Sequence, residues 1–197
     1  MLTSRHHLFM FAGATGEQRM NESTSLNQYL KDNYEKSVFD LALNDSSPWV
    51  YHLHGREIVH ARLVRSFKYG IVLSIDTQPE REIEKTSIKL LYPVAYAQTA
   101  GKLLKSDPKV QARRIEPIIS PKDRNHIKNK TLFPLMQQRA VLFFTLLEGE
   151  IIRGLVLAFS RYDLTIGLKG GIPITVLRHS ILDVRDKKGQ CYLKSKS

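Results

Sequence analysis

Glu57-Ile58-Val59-His60-Ala61 and Glu150-Ile151-Ile152-Arg153-Gly154 stand 93 residues apart, and the same offset carries Lys68-Tyr69-Gly70-Ile71 onto Arg161-Tyr162-Asp163-Leu164 without a gap. An internal repeat held without insertion restricts the chain to two copies of one small unit. With 197 residues in all, each copy has room for a compact bent sheet and a short helix.

Both copies read as five short strands. Alternating and β-branched residues predict strands over 49–53, 57–66, 69–75, 81–84 and 88–91, separated by His54-Gly55-Arg56, Phe67-Lys68, residues 76–80 and Lys85-Thr86-Ser87. The second set falls at 140–147, 150–159, 164–168, 173–177 and 181–185, with Glu148-Gly149 and Lys169-Gly170-Gly171 as turns. Gly154 removes a side chain from the middle of the long second strand, where a small barrel bends most. So many short strands predict a strongly bent, nearly closed sheet whose remaining edges pair with another chain.

Helical signals precede each strand set. Leu26, Leu30, Tyr34, Val38 and Leu41 recur at three- and four-residue steps and predict one amphipathic helix over 25–42. Ser23, Thr24 or Ser25 caps it, and Asn44-Asp45-Ser46-Ser47-Pro48 stops it. A second helix over 131–139 carries Pro134 in its tolerant first turn. The expected fold is mainly β with short helices: two tandem five-stranded bent barrels, each preceded by a helix. The boundaries are an N-terminal extension over 1–22, a first unit over 23–93, a linker over 94–130, a second unit over 131–186 and a tail over 187–197.

Charge narrows the partners. The net charge is +11, and in residues 94–130 nine basic side chains face three acidic ones, leaving +6 there. Within this linker Asp107-Pro108 predicts a capped helix through Arg114, and Pro117 and Pro121 keep the chain extended beyond it. Such a run is either a solvated linker or an arm for a polyanion, and an acidic membrane surface is the other usual partner of a basic protein. No apolar run reaches the roughly 18 residues of a membrane span. Residues 8–14 follow Arg5-His6-His7 in the order of a signal peptide but are short and lack a cleavage site, and Met20 opens a more typical start. The lone Cys191 forms no intrachain disulfide, which places the chain in a reducing compartment, the cytoplasm.

Catalytic signals are missing. No nucleophile motif, phosphate-cradling glycine loop or carboxylate dyad stands out, so neither an enzyme nor a cofactor is expected. His52, His54 and His60 are close in sequence, but no acidic or thiol residue joins them at a ligand spacing, and no metal is assigned. Asp163, between a tyrosine and a strand, reads as a carboxylate that stabilises a turn.

The order of these signals resembles the Sm-like family, in its bacterial Hfq-like branch of RNA chaperones. LFFTLLEGEIIRGLVLAFSRYDLTI is similar to the family's first signature block, with Gly149, Gly154 and Phe159 on its recurrent glycines and aromatic. Leu177-Arg178-His179-Ser180-Ile181 is similar to the second block, with arginine for the usual lysine and leucine for the aromatic. The first half matches less well: Thr86 stands where the histidine belongs and Ala61 where the mid-strand glycine does.

The resemblance implies single-stranded, uridine-rich RNA as the ligand and a chaperone or post-transcriptional regulator as the role. It implies that Tyr162 stacks on a base with Arg161 beside it, while Arg178 and His179 donate hydrogen bonds. In the first half Tyr69, Lys68 and Lys85 take the corresponding places. The family's adenosine-binding face would fall on Thr145, Glu148, Glu150 and Arg153, which do not reproduce its Tyr, Asn and Gln pattern. It also implies a homo-oligomer, three copies making a ring of six units, since closure pairs every open edge strand. The alternative is an Sm-like scaffold for protein interactions that has lost RNA specificity.

Overall fold

The computed structural model describes residues 25–76 and 78–193; the expected extension over 1–22, the caps Ser23 and Thr24, and residues 194–197 lie outside them. The expected single helix over 25–42 is two helices, α1 (Leu26–Asn33) and α2 (Val38–Asn44). Ser25 caps the first and Ser37 the second, through hydroxyls that accept from Gln28 N and Phe39 N. The second cap explains the break: Ser37 takes extended backbone, so the helical ladder restarts there.

The first strand set is β1 (Trp49–Leu53), β2 (Ile58–Ser66), β3 (Gly70–Ser74), β4 (Arg81–Glu84) and β5 (Ile88–Pro93), with a 3-10 turn over Lys85–Ser87 between the last two. The linker then forms α3 (Ala97–Leu103), a two-residue strand β6 (Lys105–Ser106) and α4 (Pro108–Ala112), whose N-cap Asp107 accepts from Lys109 N and Val110 N. After α5 (Asn129–Gln137) come β7 (Val141–Leu146), β8 (Glu150–Phe159), β9 (Asp163–Gly167), β10 (Pro173–Leu177) and β11 (Ile181–Asp186). A 3-10 turn over Arg178–Ser180 precedes the last strand.

The offset of 93 survives in three dimensions. Adding it to β3, to the first 3-10 turn and to β5 gives the bounds of β9, of the second turn and of β11, and it carries α2 into α5. Helix α1 maps onto residues 119–126, which hold only a 3-10 turn over Pro121–Asp123, so as an α-helix it is not repeated.

All the described strands join one antiparallel sheet in the order β11-β7-β8-β9-β10-β5-β1-β2-β3-β4, with β6 on β8. The order within each half is the same, fifth-first-second-third-fourth. Where two bent barrels were expected, the described strands form a continuous sheet that does not close, because β10 pairs with β5 at Thr175 opposite Leu91 and Val176 opposite Leu90. The mainly-β expectation holds, with the helices short.

Two cores interlock across this junction. Phe39, Trp49, Tyr51, Leu73 and Leu91 centre the first, which also takes Leu177 from the second half. Phe144, Phe159, Leu164 and Val176 centre the second, which takes Val50, Leu90 and Tyr92 from the first. Strand β1 is therefore buried at all five residues, serving one core with each face. The basic linker is not a free arm: Ala100 and Ile127 enter the second core, and Asp107 N donates to Gly149 O at 2.8 Å. A Cβ on Gly149 would meet Asp107 O at 2.8 Å, so glycine there lets the linker seat on the turn. Gly154 lies equally tight, with space for a Cβ taken by Gly167 O at 2.5 Å.

Candidate nucleic-acid interface

The β2–β3 turn and the β8–β9 turn are built alike. In the first, Phe67 N donates to Gly70 O at 2.8 Å; in the second, Ser160 N donates to Asp163 O at 3.0 Å. Each is tied to the following 3-10 turn of its own half, Lys85 N reaching Tyr69 O at 2.8 Å and Arg178 N reaching Tyr162 O at 2.9 Å. The backbone thus fixes both tyrosines while their rings stay out of the core. Tyr69 is 73% exposed, Tyr162 53% and Phe67 52%.

A cation stacks on each tyrosine. The Lys68 ammonium lies 5.0 Å from the Tyr69 ring centroid and the Arg161 guanidinium 5.4 Å from that of Tyr162. The Tyr69 hydroxyl holds the Lys68 ammonium above its ordinary pKa, and Tyr162 adds to the effect. Each half thus carries one exposed aromatic-plus-cation pair.

The second turn is braced from the helix break. Arg161 N donates to Tyr34 O at 2.8 Å, and Val38 N donates to Asp163 Oδ2 at 3.2 Å. Ser160 Oγ donates to Asp163 Oδ1 at 2.7 Å. Burial pushes the Asp163 carboxyl up and these donors pull against it, the work of a turn-stabilising carboxylate. The first turn is braced by Lys85, whose ammonium donates to Phe67 O and lies 5.0 Å from the Phe39 ring centroid.

The remaining expected site residues point inward. The Arg178 guanidinium donates to Ile127 O at 3.3 Å and to Asn129 Oδ1 at 2.9 Å and lies 5.7 Å from the Phe159 ring centroid. Burial lowers its pKa. His179 is 9% exposed, and burial, with Arg124 and His54 nearby, lowers its pKa to about 4, leaving a neutral ring held at the backbone of Thr86 and Ile88. Of the seven residues, the structure pairs Tyr69 with Lys68 and, in the other half, Tyr162 with Arg161 at the surface, sets Lys85 beneath the first turn, and places Arg178 and His179 inside the frame that carries the second.

Sequence reasoning missed two features. Phe67 joins the exposed aromatics; its place beside Lys68-Tyr69 was the available signal. The other is Lys89, 1% exposed, whose ammonium donates to Glu148 Oε2 at 2.6 Å and to Glu150 Oε1. His54 Nδ1 and Gly55 N meet Glu148 Oε1 at 3.1 and 2.7 Å. Burial alone would raise the Glu148 carboxyl, but Lys89, Gly55 and His54 outweigh it and hold the group below its ordinary value. Two residues of the expected adenosine face are thus spent on holding the halves together. A lysine inside the run Ile88-Lys89-Leu90-Leu91 is the trace this leaves in the sequence.

The three histidines diverge. His52 Nε2 meets the Tyr92 hydroxyl at 2.9 Å and His54 meets Glu148, and among the described residues no cluster of His, Cys, Asp or Glu is arranged to hold a metal. Clefts of about 510 and 350 Å³ are lined by Arg113, Thr145 and Arg185 and by Arg56, Arg114 and Glu148. Among the described residues no helix is long and apolar enough to cross a membrane. In comparison with known proteins, no family model, curated protein or solved structure matches the chain.

Proposed function

We propose that the chain binds single-stranded RNA across the Tyr69 and Tyr162 turns, as a non-enzymatic RNA chaperone or post-transcriptional regulator built from two tandem Sm-like units. The observation that carries the reading is the duplicated pair, an exposed tyrosine with a cation on one face, found once in each half. A base stacks on the ring face the cation leaves open, while Lys68 and Arg161 reach phosphate. Arg178 and His179 hold the second turn in place rather than touching the strand, and Lys85 does the same for the first. The net charge of +11 supplies the long-range attraction. Three copies can close a ring of six units where β4 of one reaches β11 of the next, the two ends of the sheet. A cytoplasmic setting fits the lone cysteine, and the reading calls for no cofactor, metal or membrane.

Titration of labelled uridine-rich and adenosine-rich oligonucleotides at two salt concentrations tests this. Replacing both Tyr69 and Tyr162 by alanine is expected to weaken binding by about 1–3 kcal/mol per lost stack. Binding unchanged in the double variant, or absent at low salt, removes the site.

The inward commitment of Arg178 and His179 favours a second reading, an interaction scaffold of the same architecture. A stoichiometric protein partner and a nucleic-acid-free absorbance spectrum after purification would select it.

A further inference from the structure

The fifth strand of each half meets a different neighbour on its outer edge. On β5 that neighbour is β10, with Thr175 opposite Leu91. On β11 it is the chain's own end. Asp186 N donates to Gln190 O at 3.1 Å and Gly189 N to Asp186 O at 3.1 Å, closing a tight return in which Asp186 Oδ1 also accepts from Lys188 N and Gln190 N at 2.8 and 3.0 Å. Cys191 then bridges to Arg185, and Tyr192 N donates to Val184 O at 2.9 Å. Tyr192 and Leu193 rest against the second core. The expected tail is thus, over 187–193, a folded arm on the edge of β11.

The repeat shows what this arm covers. Subtracting 93 from Val184 gives Leu91, the residue of β5 at which β10 seats; subtracting it from Thr175 of β10 gives Glu82 of β4. Among the described residues β4 pairs only with β3. We propose that the arm over 187–193 is a removable cover on a strand-accepting edge, and that the strand it excludes is β4 of a second copy of this chain. With the arm lifted, β4 adds antiparallel to β11 in the register of the internal junction, Glu82 opposite Val184 and Ile83 opposite Asp183. The partner is a second copy because the chain already contains this junction once, between its own halves. Exposed Arg81, Glu82 and Glu84 keep β4 from pairing with arbitrary strands while the arm is closed.

The inference rests on the ring reading, and one experiment separates the two. Solution mass is measured for the full chain, for a chain ending at Asp186, and for full-length Tyr192→Pro, which deletes the N–H that holds the arm to Val184; circular dichroism checks that each is folded. The expected result is a single-chain mass for the full chain and a three-chain mass for both variants. A full chain already at three-chain mass overturns the cover and leaves the ring standing. Folded variants that stay at single-chain mass overturn both.

Discussion

At Gly154 the repeat departs from itself, since Ala61 holds the same place in the first half. A Cβ on Gly154 would lie 2.5 Å from Gly167 O and 2.6 Å from Ile166 Cγ2, both on the neighbouring strand. Gly154→Val is expected to destabilise by about 1–3 kcal/mol, the usual cost of overpacking a filled core, read as a lower urea midpoint. Histidines set the acid limit. His52 and His179 are both lowered from 6.5 to about 4, chiefly by burial, so they are neutral in the folded chain. Between pH 6.5 and pH 4 the unfolded chain takes up protons that the folded chain refuses. The stability these rings contribute therefore falls as pH falls through that window, by up to about 3 kcal/mol for each ring, and below it the depressed carboxylates such as Glu148 take over the loss. Replacing His179 by glutamine should remove its share of that slope, leaving the part that His52 and His54 supply, in urea titrations run at several pH values.

Among the elements, the strands were the most legible and the helices the least. Strand-forming residues bounded by turns located the ten strands of the two halves to within a residue or two; β2 and β7 bury one face, so a slip of one residue would turn that face outward, whereas β1 is buried on both. The break between α1 and α2 was hidden because Tyr34 and Val38 continue the helical spacing across it; Ser37 is the one residue that reveals it, and serine is ordinary inside such a run. Of the candidate site, the Tyr69 and Tyr162 turns were readable from the offset alone. The inward turn of Arg178 and His179 was not, since burial against Asn129, Thr86 and Ile88 is a property of tertiary packing. Lys89 is the same case seen from the other side. Lys89→Ala leaves Glu148 and Glu150 facing each other in a largely dry junction, and a loss of about 3–5 kcal/mol is expected, measured by chemical unfolding.

For the whole molecule, the β10–β5 junction decides what kind of object the chain is. Leu177 sits in the first core, while Val50, Leu90 and Tyr92 sit in the second, so neither core is complete without the other half. Heat should melt the chain in a single transition, with the same midpoint whether followed by tryptophan fluorescence, which reports on Trp49 in the first core, or by calorimetry. Two separated transitions would show that the halves fold independently. The shared core also changes what the covalent link is for. A protease cut between residues 113 and 120, where the backbone runs exposed or half-exposed between α4 and the next turn, severs the chain without removing the strands or side chains that join its halves. The two fragments should stay together through gel filtration and, once separated in denaturant, find each other again on dilution, as the complementary pieces of a split protein do.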